Sequence, residues 1–404
     1  MKAQFPFGLA VSWSRITTVF LIDIALLAAA SQVTGHCPDV WRTGHAAFWV
    51  GVALATTVTI VAMLTYRGIP LAEAPLARIR NWYADPEALT VGCTTPIDHR
   101  RRFSRDTVGV REFGGKLVTV IAVDGPVEIP SVRQRHRRVP MATIPLGTIA
   151  AALRQFDVRL DGVDIVSVGT RHNSGGVKSA VRDFWHNTDA VSGPVSDHRP
   201  FDERSTWLVL RLDPQRNVAA VAARESLAST FTAATERLAH ELDGRSCAVR
   251  TLTAQEILDV DDAVLAGLQP TDIRPYWRYL KTPGGYVTSF WVSPADITGE
   301  VLEGLWLSDA DVTVVTIRLV ARGCGADMSA WVRHHSAKRL RKELWSGLNR
   351  LTGRQLGAVA ASIPTPTPGR PLKMPSRVLG DGEDICVPVG AMPEQTIASA
   401  GTAR

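Results

Sequence analysis

Hydrophobic positions are unevenly spread along the chain. Residues 46–66, AAFWVGVALATTVTIVAMLTY, carry no charge over 21 residues. As a helix this run spans roughly 30 Å, the thickness of a bilayer's hydrocarbon core. Trp49 and Tyr66 stand near its ends, where amphipathic rings favour the membrane interface. An earlier apolar stretch, residues 14–33, reads as the weaker of two spans because Asp23 sits at its centre. A carboxylate at mid-membrane is costly unless it is paired or faces protein. Asp23 is therefore expected to point at another helix. A signal peptide is the rival reading, with Ala28, Ala29 and Ala30 resembling a cleavage site. Asp23 and the second span soon after it argue against that.

Beyond Tyr66 the pattern changes to alternating and helical periods. Residues 67–104 form a connector broken by Pro70, Pro75, Pro86 and Pro96, with a short helix near 76–82. Strands are predicted at 107–113 and 116–123, joined at Gly114-Gly115 like a hairpin. A helix over 146–156 and a strand over 163–168 follow, then a polar loop, 170–205, and a strand at 206–212. Asn217 is placed as the cap of a helix running to Leu242, in which Leu227, Phe231, Ala234, Leu238 and Leu242 share one face. A strand at 247–252 closes this series. Helix 253–268 bridges to a second series: a strand at 286–292, a helix from Ser293 with Asp296 in a capping-box-like start, strands at 312–320 and 330–335, a helical stretch from Lys338 towards Ser362 broken at Gly353, and a last strand at 384–389. From Lys116 onward the first series reads β-α-β-β-α-β, and the second series reads the same. The expected architecture is a membrane-anchored α+β protein. It has a cytoplasmic segment 1–13, spans at 14–33 and 46–66 around a loop 34–45, a connector 67–104, α/β halves at 105–252 and 286–390 with linker 253–285, and a disordered tail from 391. Two ferredoxin-like halves are one parsing of the soluble part, since any mixed chain can be divided this way.

Charge refines this picture. The chain has 45 Lys and Arg against 39 Asp and Glu. Residues 1–66 hold only Lys2, Arg15, Arg42, Asp23 and Asp39 of these. Lys2 and Arg15 flank the first span on its N-terminal side, and Arg67, Arg78 and Arg80 follow the second. By the positive-inside rule both termini and the large domain are expected in the cytoplasm of a multi-pass inner-membrane protein. The cysteines Cys37, Cys93, Cys247, Cys324 and Cys386 show no CxxC spacing and no disulfide framework.

Sequence chemistry is sparse. No P-loop, GxGxxG, HExxH or GxSxG pattern occurs. Ser196-Asp197-His198 is adjacency without geometry. Asp259, Asp261 and Asp262 fit a solvated helix face better than a metal site, and His334 and His335 point to opposite faces of a strand. Basic clusters occur at 100–105, 133–138 and 333–342. They suit anionic lipid or an acidic partner. No aromatic-basic module supports nucleic acid. Asp23 and Gly51 are the candidates for membrane-helix contacts. Arg78, Arg80, Arg100, Arg101, Arg102 and Arg105 are the candidates for a basic membrane-proximal surface.

The two spans, IDHRRRFSRDTVGVREF at the end of the connector, FDVRLDGVDIVSV, TWLVLRLDPQRNVAAVAARESLAS, AATERLAHELDGRSCAVRTLTAQEI, GYVTSFWVSPADIT and LNRLTGRQL together resemble EccE, the membrane component of mycobacterial type VII (ESX) secretion systems. The resemblance covers nearly the whole chain and looks closest to the fifth ESX system, which exports PE and PPE proteins. It implies a non-catalytic brace of two helices plus a cytoplasmic domain, set beside EccB, the ATPase EccC and EccD in a six-fold inner-membrane complex, with the mycosin protease an indirect neighbour. It implies no cofactor and transfers no catalytic residue. The competing readings are a membrane-tethered, glycosyltransferase-like enzyme using Asp161 and Asp164 with a metal, and a ligand-sensing domain.

Overall fold

The computed structural model of the chain describes residues 7–9, 13–36, 46–66, 69–71, 73–101, 107–124, 142–171, 203–222, 226–243, 247–307, 310–323, 325–366, 372, 374–380, 382–383 and 385–389. The chain falls into two compact units, residues 1–83 and 84–404.

The first unit contains β1 (Phe7–Leu9), α1 (Trp13–His36), α2 (Ala46–Met63), β2 (Leu64–Tyr66), β3 (Ile69–Pro70) and α3 (Glu73–Trp82). The expected weighting of the two apolar helices is reversed. It is α1, with its apolar window Ile16–Val33, that is long and apolar enough to cross a membrane, while the apolar part of α2, Phe48–Met63, is shorter. The expected helix to residue 66 stops at Met63 because the backbone of β2 pairs with β1 and β3 instead. Val19 and Ala55 are buried, whereas Phe20, Leu21, Ile24, Val50, Leu54 and Ile60 face outward. Such an apolar exterior suits lipid rather than water.

The second unit is a mixed α/β domain around one open sheet. Its first series contains β4 (Ile97–Arg100), β5 (Thr107–Phe113), β6 (Lys116–Asp124), β7 (Ala142–Pro145), α4 (Leu146–Ala152), β8 (Arg154–Gln155), β9 (Val158–Arg159), β10 (Gly162–Thr170), β11 (Glu203–Leu212), α5 (Val218–Ala222), α6 (Leu227–Leu242) and β12 (Ala248–Thr251). Helix α7 (Ala254–Leu265) leads to β13 (Arg274–Pro275), β14 (Leu280–Thr282), β15 (Gly285–Trp291), α8 (Gly299–Gly304), β16 (Val312–Arg322), β17 (Gly325–Ser336), β18 (Asn349–Arg350), α9 (Gln355–Ser362), β19 (Arg377–Val378) and β20 (Cys386–Val389). The β5–β6 turn is made by Gly114 and Gly115 at φ 58° and 73°, left-handed geometry that glycine adopts without strain.

The sheet runs β13-β14-β15-β17-β16-β10-β11-β6-β5-β4, with β12 beside β6, β18 beside β15 and β19 beside β17. In the first series β12 pairs β6, β6 pairs β11 and β11 pairs β10, all antiparallel. In the second, β15 pairs β17 and β17 pairs β16 in the same sense. The position beside β15 is shared by β14 and β18. The expected last strand does not return to this sheet: β20 pairs with β7 in a separate ribbon. The two series meet where β10 pairs with β16, in register from Gly162–Val320 to Thr170–Val312. Alternation sends Val163 and Ile165 of β10 to one core and Val166 and Val168 to the other. Helices α4, α6 and α8 cover the first face and α7 and α9 the second, so the strands are buried on both sides.

Several helix expectations change. The helix predicted from Asn217 is two, α5 and α6, and Ser226 caps the second by accepting from the Ser229 amide at 3.1 Å. The capping box at Ser293 is not formed; Thr298 caps α8. The stretch after Lys338 is a 3-10 turn at Lys342–Trp345, then β18, then α9. The loop 170–205 lies, apart from its ends, outside the described residues, as do Gly244 and the tail from 391.

Asn217 acts as a clamp. Its Oδ1 accepts from the Arg159 amide at 2.7 Å, and its Nδ2 donates to the carbonyls of Arg159 and Asp213 at 2.9 and 2.8 Å. Aspartate caps helices as well as asparagine does but cannot donate. Asn217→Asp is therefore expected to destabilise the protein by about 1–3 kcal/mol, read from the urea midpoint; unchanged stability would restore the capping role.

Candidate functional site

The helix pair of the first unit packs through small side chains. A Cβ built on Gly51 would lie 2.4 Å from Ala30 Cβ, so the backbones approach more closely there than any larger residue allows. Thr59 Oγ1 donates to Asp23 Oδ2 at 2.6 Å. The pairs 30/51 and 23/59 run in opposite directions along α1 and α2, as in an antiparallel hairpin. Asp23 Oδ1 is buried without a hydrogen-bond partner among the described residues.

The basic candidates divide between the units. Arg78 is exposed on α3 of the first unit, near the end of that helix, where Trp82 and Tyr83 are 85% and 82% exposed. In the second unit Arg100 is exposed on β4, and Arg101 donates to Glu236 of α6 at 2.5 Å. Arg101 thus also fastens the end of β4 to a helix. Arg102, Arg105 and the side chain of Arg80 lie outside the described residues.

Asp161, Asp164 and Asp261 are committed to the fold. Asp161 is in ion pairs with Arg216 at 2.8 Å and Lys116 at 3.6 Å. Asp261 receives both ends of the buried Arg111 guanidinium, at 3.1 and 2.5 Å. His334 Nδ1 and Thr313 Oγ1 share a hydrogen bond of 3.0 Å, and burial followed by the charge of Arg171 pushes the His334 pKa down to about 4. Cys93 is a free thiol. Burial, aided by Asp261 and opposed by Arg111, pushes Cys93 up to about 11. Among the described residues no group of three His, Cys, Asp or Glu is placed to hold a metal ion. Ser196-Asp197-His198 and the cluster 133–138 fall outside them. A groove of about 550 Å³ lies along Gly147, Thr148 and Ala151, with Gly325, Leu379 and Glu383 opposite; the Glu383 carboxylate in it is already held by Arg377 at 2.7 and 2.8 Å.

The densest polar feature sits at the β10–β16 junction. Asp164 of β10 is buried. Arg318 of β16 donates to both its oxygens at 2.8 Å, and Arg211 of β11 donates to Oδ2. The remaining N–H groups reach one strap at the end of α9. Arg318 donates to the Ala361 carbonyl at 3.0 Å, Arg211 to those of Ile363 and Thr365, and Arg111 to that of Pro364 at 2.7 Å. Ser362 in the same strap receives Trp331 Nε1 and Thr316 Oγ1, both at 3.0 Å. Burial alone would raise the Asp164 pKa. The charges and hydrogen bonds of Arg211 and Arg318 outweigh it and hold the carboxyl below its ordinary 3.8. The arginine of TWLVLRL gave a signal, a cation inside an apolar strand, but its partners lie on distant segments.

Comparison with known proteins matches residues 201–292 to the EccE family, described as type VII ESX secretion system translocon. The chain is 52% identical over 405 residues to the ESX-5 secretion system protein EccE5 of Mycobacterium marinum, with 99% of each chain covered. It is equally similar, 52% over 406 residues and 99% of each chain, to EccE5 of Mycobacterium tuberculosis H37Rv. A more distant relative, EccE1 of the ESX-1 system of that strain, is 28% identical over 283 residues, 67% of this chain and 55% of its own.

Removing one member of a buried ion cluster strands the others, at about 3–5 kcal/mol. Asp164→Asn is expected to destabilise by that amount in urea titrations followed by tryptophan fluorescence. Replacing Asp164, Arg211 and Arg318 together by Leu and Met should recover most of it. Because the folded pKa is depressed, Asp164 stabilises fully above about pH 4. That contribution is lost as pH falls through the lowered value, so Asp164→Asn should flatten the acid limb of the stability profile.

Proposed function

This chain belongs to the EccE family of type VII secretion proteins, and from that premise we propose that it is a structural, non-enzymatic subunit of an ESX-5-type inner-membrane complex. The observation that carries the reading is the 52% identity to two ESX-5 EccE proteins across 99% of the chain. It is supported by the fate of the ionisable groups Asp161, Asp164 and Asp261 among the described residues, each of which is held by an arginine.

In this reading α1 and α2 both span the inner membrane as a hairpin, with both termini and the residue 84–404 domain in the cytoplasm. The membrane-proximal charges Arg78, Arg80, Arg100, Arg101, Arg102 and Arg105 lie at the cytoplasmic surface. The neighbours are EccB, EccC and EccD in a six-fold assembly, with the mycosin an indirect one, and the cargo is PE/PPE-type protein. The domain boundaries follow the sequence reading, with ferredoxin-like halves at 105–252 and 286–390. The first half has the strand order β12-β6-β11-β10 such a fold requires. The second keeps β15-β17-β16 and substitutes β14 and β18 for its fourth strand.

The hairpin is suited to bracing. Gly51 brings the two helices together, and Asp23 spends one oxygen on Thr59. Its other oxygen is left to a donor on a neighbouring subunit's helix. Asp23→Leu is expected to leave membrane insertion intact and to reduce co-purification of the other components after gentle detergent extraction. Gly51→Ile should reduce it too, by forcing the helices apart. Extraction of the unaltered chain as a lone monomer would overturn the scaffold role.

A further inference from the structure

The basic stretch after β17 acquires a setting in the fold that the sequence does not show. Arg274 of β13 is paired with Lys281 of β14, and Lys281 with Tyr286 of β15. Tyr276 and Tyr279 are each two residues from a member of that row, so all five side chains emerge on one face of the sheet's outer edge. The rings are in contact: Tyr276 stacks on Tyr279 at 5.0 Å, and Tyr279 meets Tyr286 edge-on at 5.2 Å. Arg339 lies across them, 4.9 and 5.4 Å from the Tyr279 and Tyr286 centroids, and donates to the Tyr279 hydroxyl at 2.8 Å.

Charge is unbalanced here, whereas many arginines elsewhere are paired. Arg101, Arg111, Arg211, Arg216, Arg250, Arg318, Arg322 and Arg377 each face a carboxylate. Arg274, Arg278, Lys281, Lys338 and Arg339 are all exposed, and none is in an ion pair with a described carboxylate. Of the described acids nearby, Asp272 is engaged by the Thr271 hydroxyl and Asp311 by the Ala337 amide. Pro275 on the outermost strand removes a backbone donor, which disfavours strand addition. Recognition then falls to side chains. A guanidinium fixed on aromatic faces presents its fork to carboxylates with little left to order, and tyrosine and arginine are the residues that dominate protein interfaces. A bilayer would need apolar groups to insert, and this face offers only the partly exposed Tyr276 (43%).

We propose that the face formed by Arg274, Tyr276, Tyr279, Lys281, Tyr286 and Arg339 docks an acidic segment of a partner protein. The proposal deepens the scaffold reading and rests on it, adding where and by what chemistry the cytoplasmic domain holds a neighbour.

The full chain in phosphatidylcholine nanodiscs is titrated with a fluorescein-labelled oligo-glutamate peptide and followed by anisotropy. Arg274→Glu with Arg339→Glu is expected to weaken binding about tenfold or more at an unchanged melting temperature. Arg322→Glu, an exposed arginine outside the face, should leave it within about twofold. Tyr279→Ala, which removes the stacking platform without touching charge, should weaken it as well. Equal losses from Arg322→Glu and the face variants, or none from the face variants, would overturn the proposal. So would a face variant that keeps the peptide but loses flotation with phosphatidylglycerol vesicles, since the face would then be lipid-directed. Co-purification of the unaltered chain, measured in parallel, separates the two ideas: its failure sinks the scaffold, whereas failed discrimination by the peptide sinks only the docking face.

Discussion

The 84–404 domain depends on how one carboxylate is accommodated between two strands. Asp164 sits on β10 at the seam where the two series meet, inside a sheet covered on both faces. Alone, a charge there would be intolerable. With Arg318 across the seam and Arg211 on the neighbouring strand, it becomes the centre of a hydrogen-bonded cluster. The cluster carries one surplus positive charge, and the carbonyl oxygens of Ala361, Ile363 and Thr365 at the end of α9 complete its coordination. A helix C-terminus is the favourable place for a cation. One strap of backbone thereby reads three strands at once and fixes α9 on the second face, although an α-helix of the corresponding position in the first series, α6, lies on the other.

Much of the secondary structure is legible from period and turn chemistry. Strand 107–113 begins and ends where the structure has it, because a glycine pair and an alternating run leave little freedom. Helix α7 starts at Thr253 with its capping box formed. The losses have physical causes. The helix pattern from Asn217 to Leu242 is continuous in apolar spacing, yet Asn217 is worth more as a donor–acceptor clamp on Arg159 than as a cap. The apolar run to residue 66 outlasts its helix because Leu64–Tyr66 finds strand partners. Strand β20 looks like the end of a repeat but pairs with β7, far off in sequence. Long-range pairing leaves no local mark.

Candidate chemistry was harder to read. Asp161, Asp164 and Asp261 look available in sequence, and each is spent on an arginine whose position along the chain gives no hint of the match. Acidic residues in an α/β domain attract catalytic readings, and only their partners decide. Conversely the stretch 333–342 reads as undifferentiated positive charge. In the fold Arg333 and His335 turn inward and are buried, while Arg339 lies on tyrosines. Asp23 is intermediate: the expense of a mid-membrane carboxylate demands a partner, but Thr59 is chosen by helix register.

The seam has a mechanical consequence. All nine residues of β10 face residues 312–320 of β16, so a pull along the strands would load those hydrogen bonds together instead of peeling them one by one. The two halves then behave as a single stiff plate with no hinge at their border. Force arriving at one edge of the domain is delivered to the other nearly undiminished. Any movement during transport must be taken up by segments that lie outside this sheet.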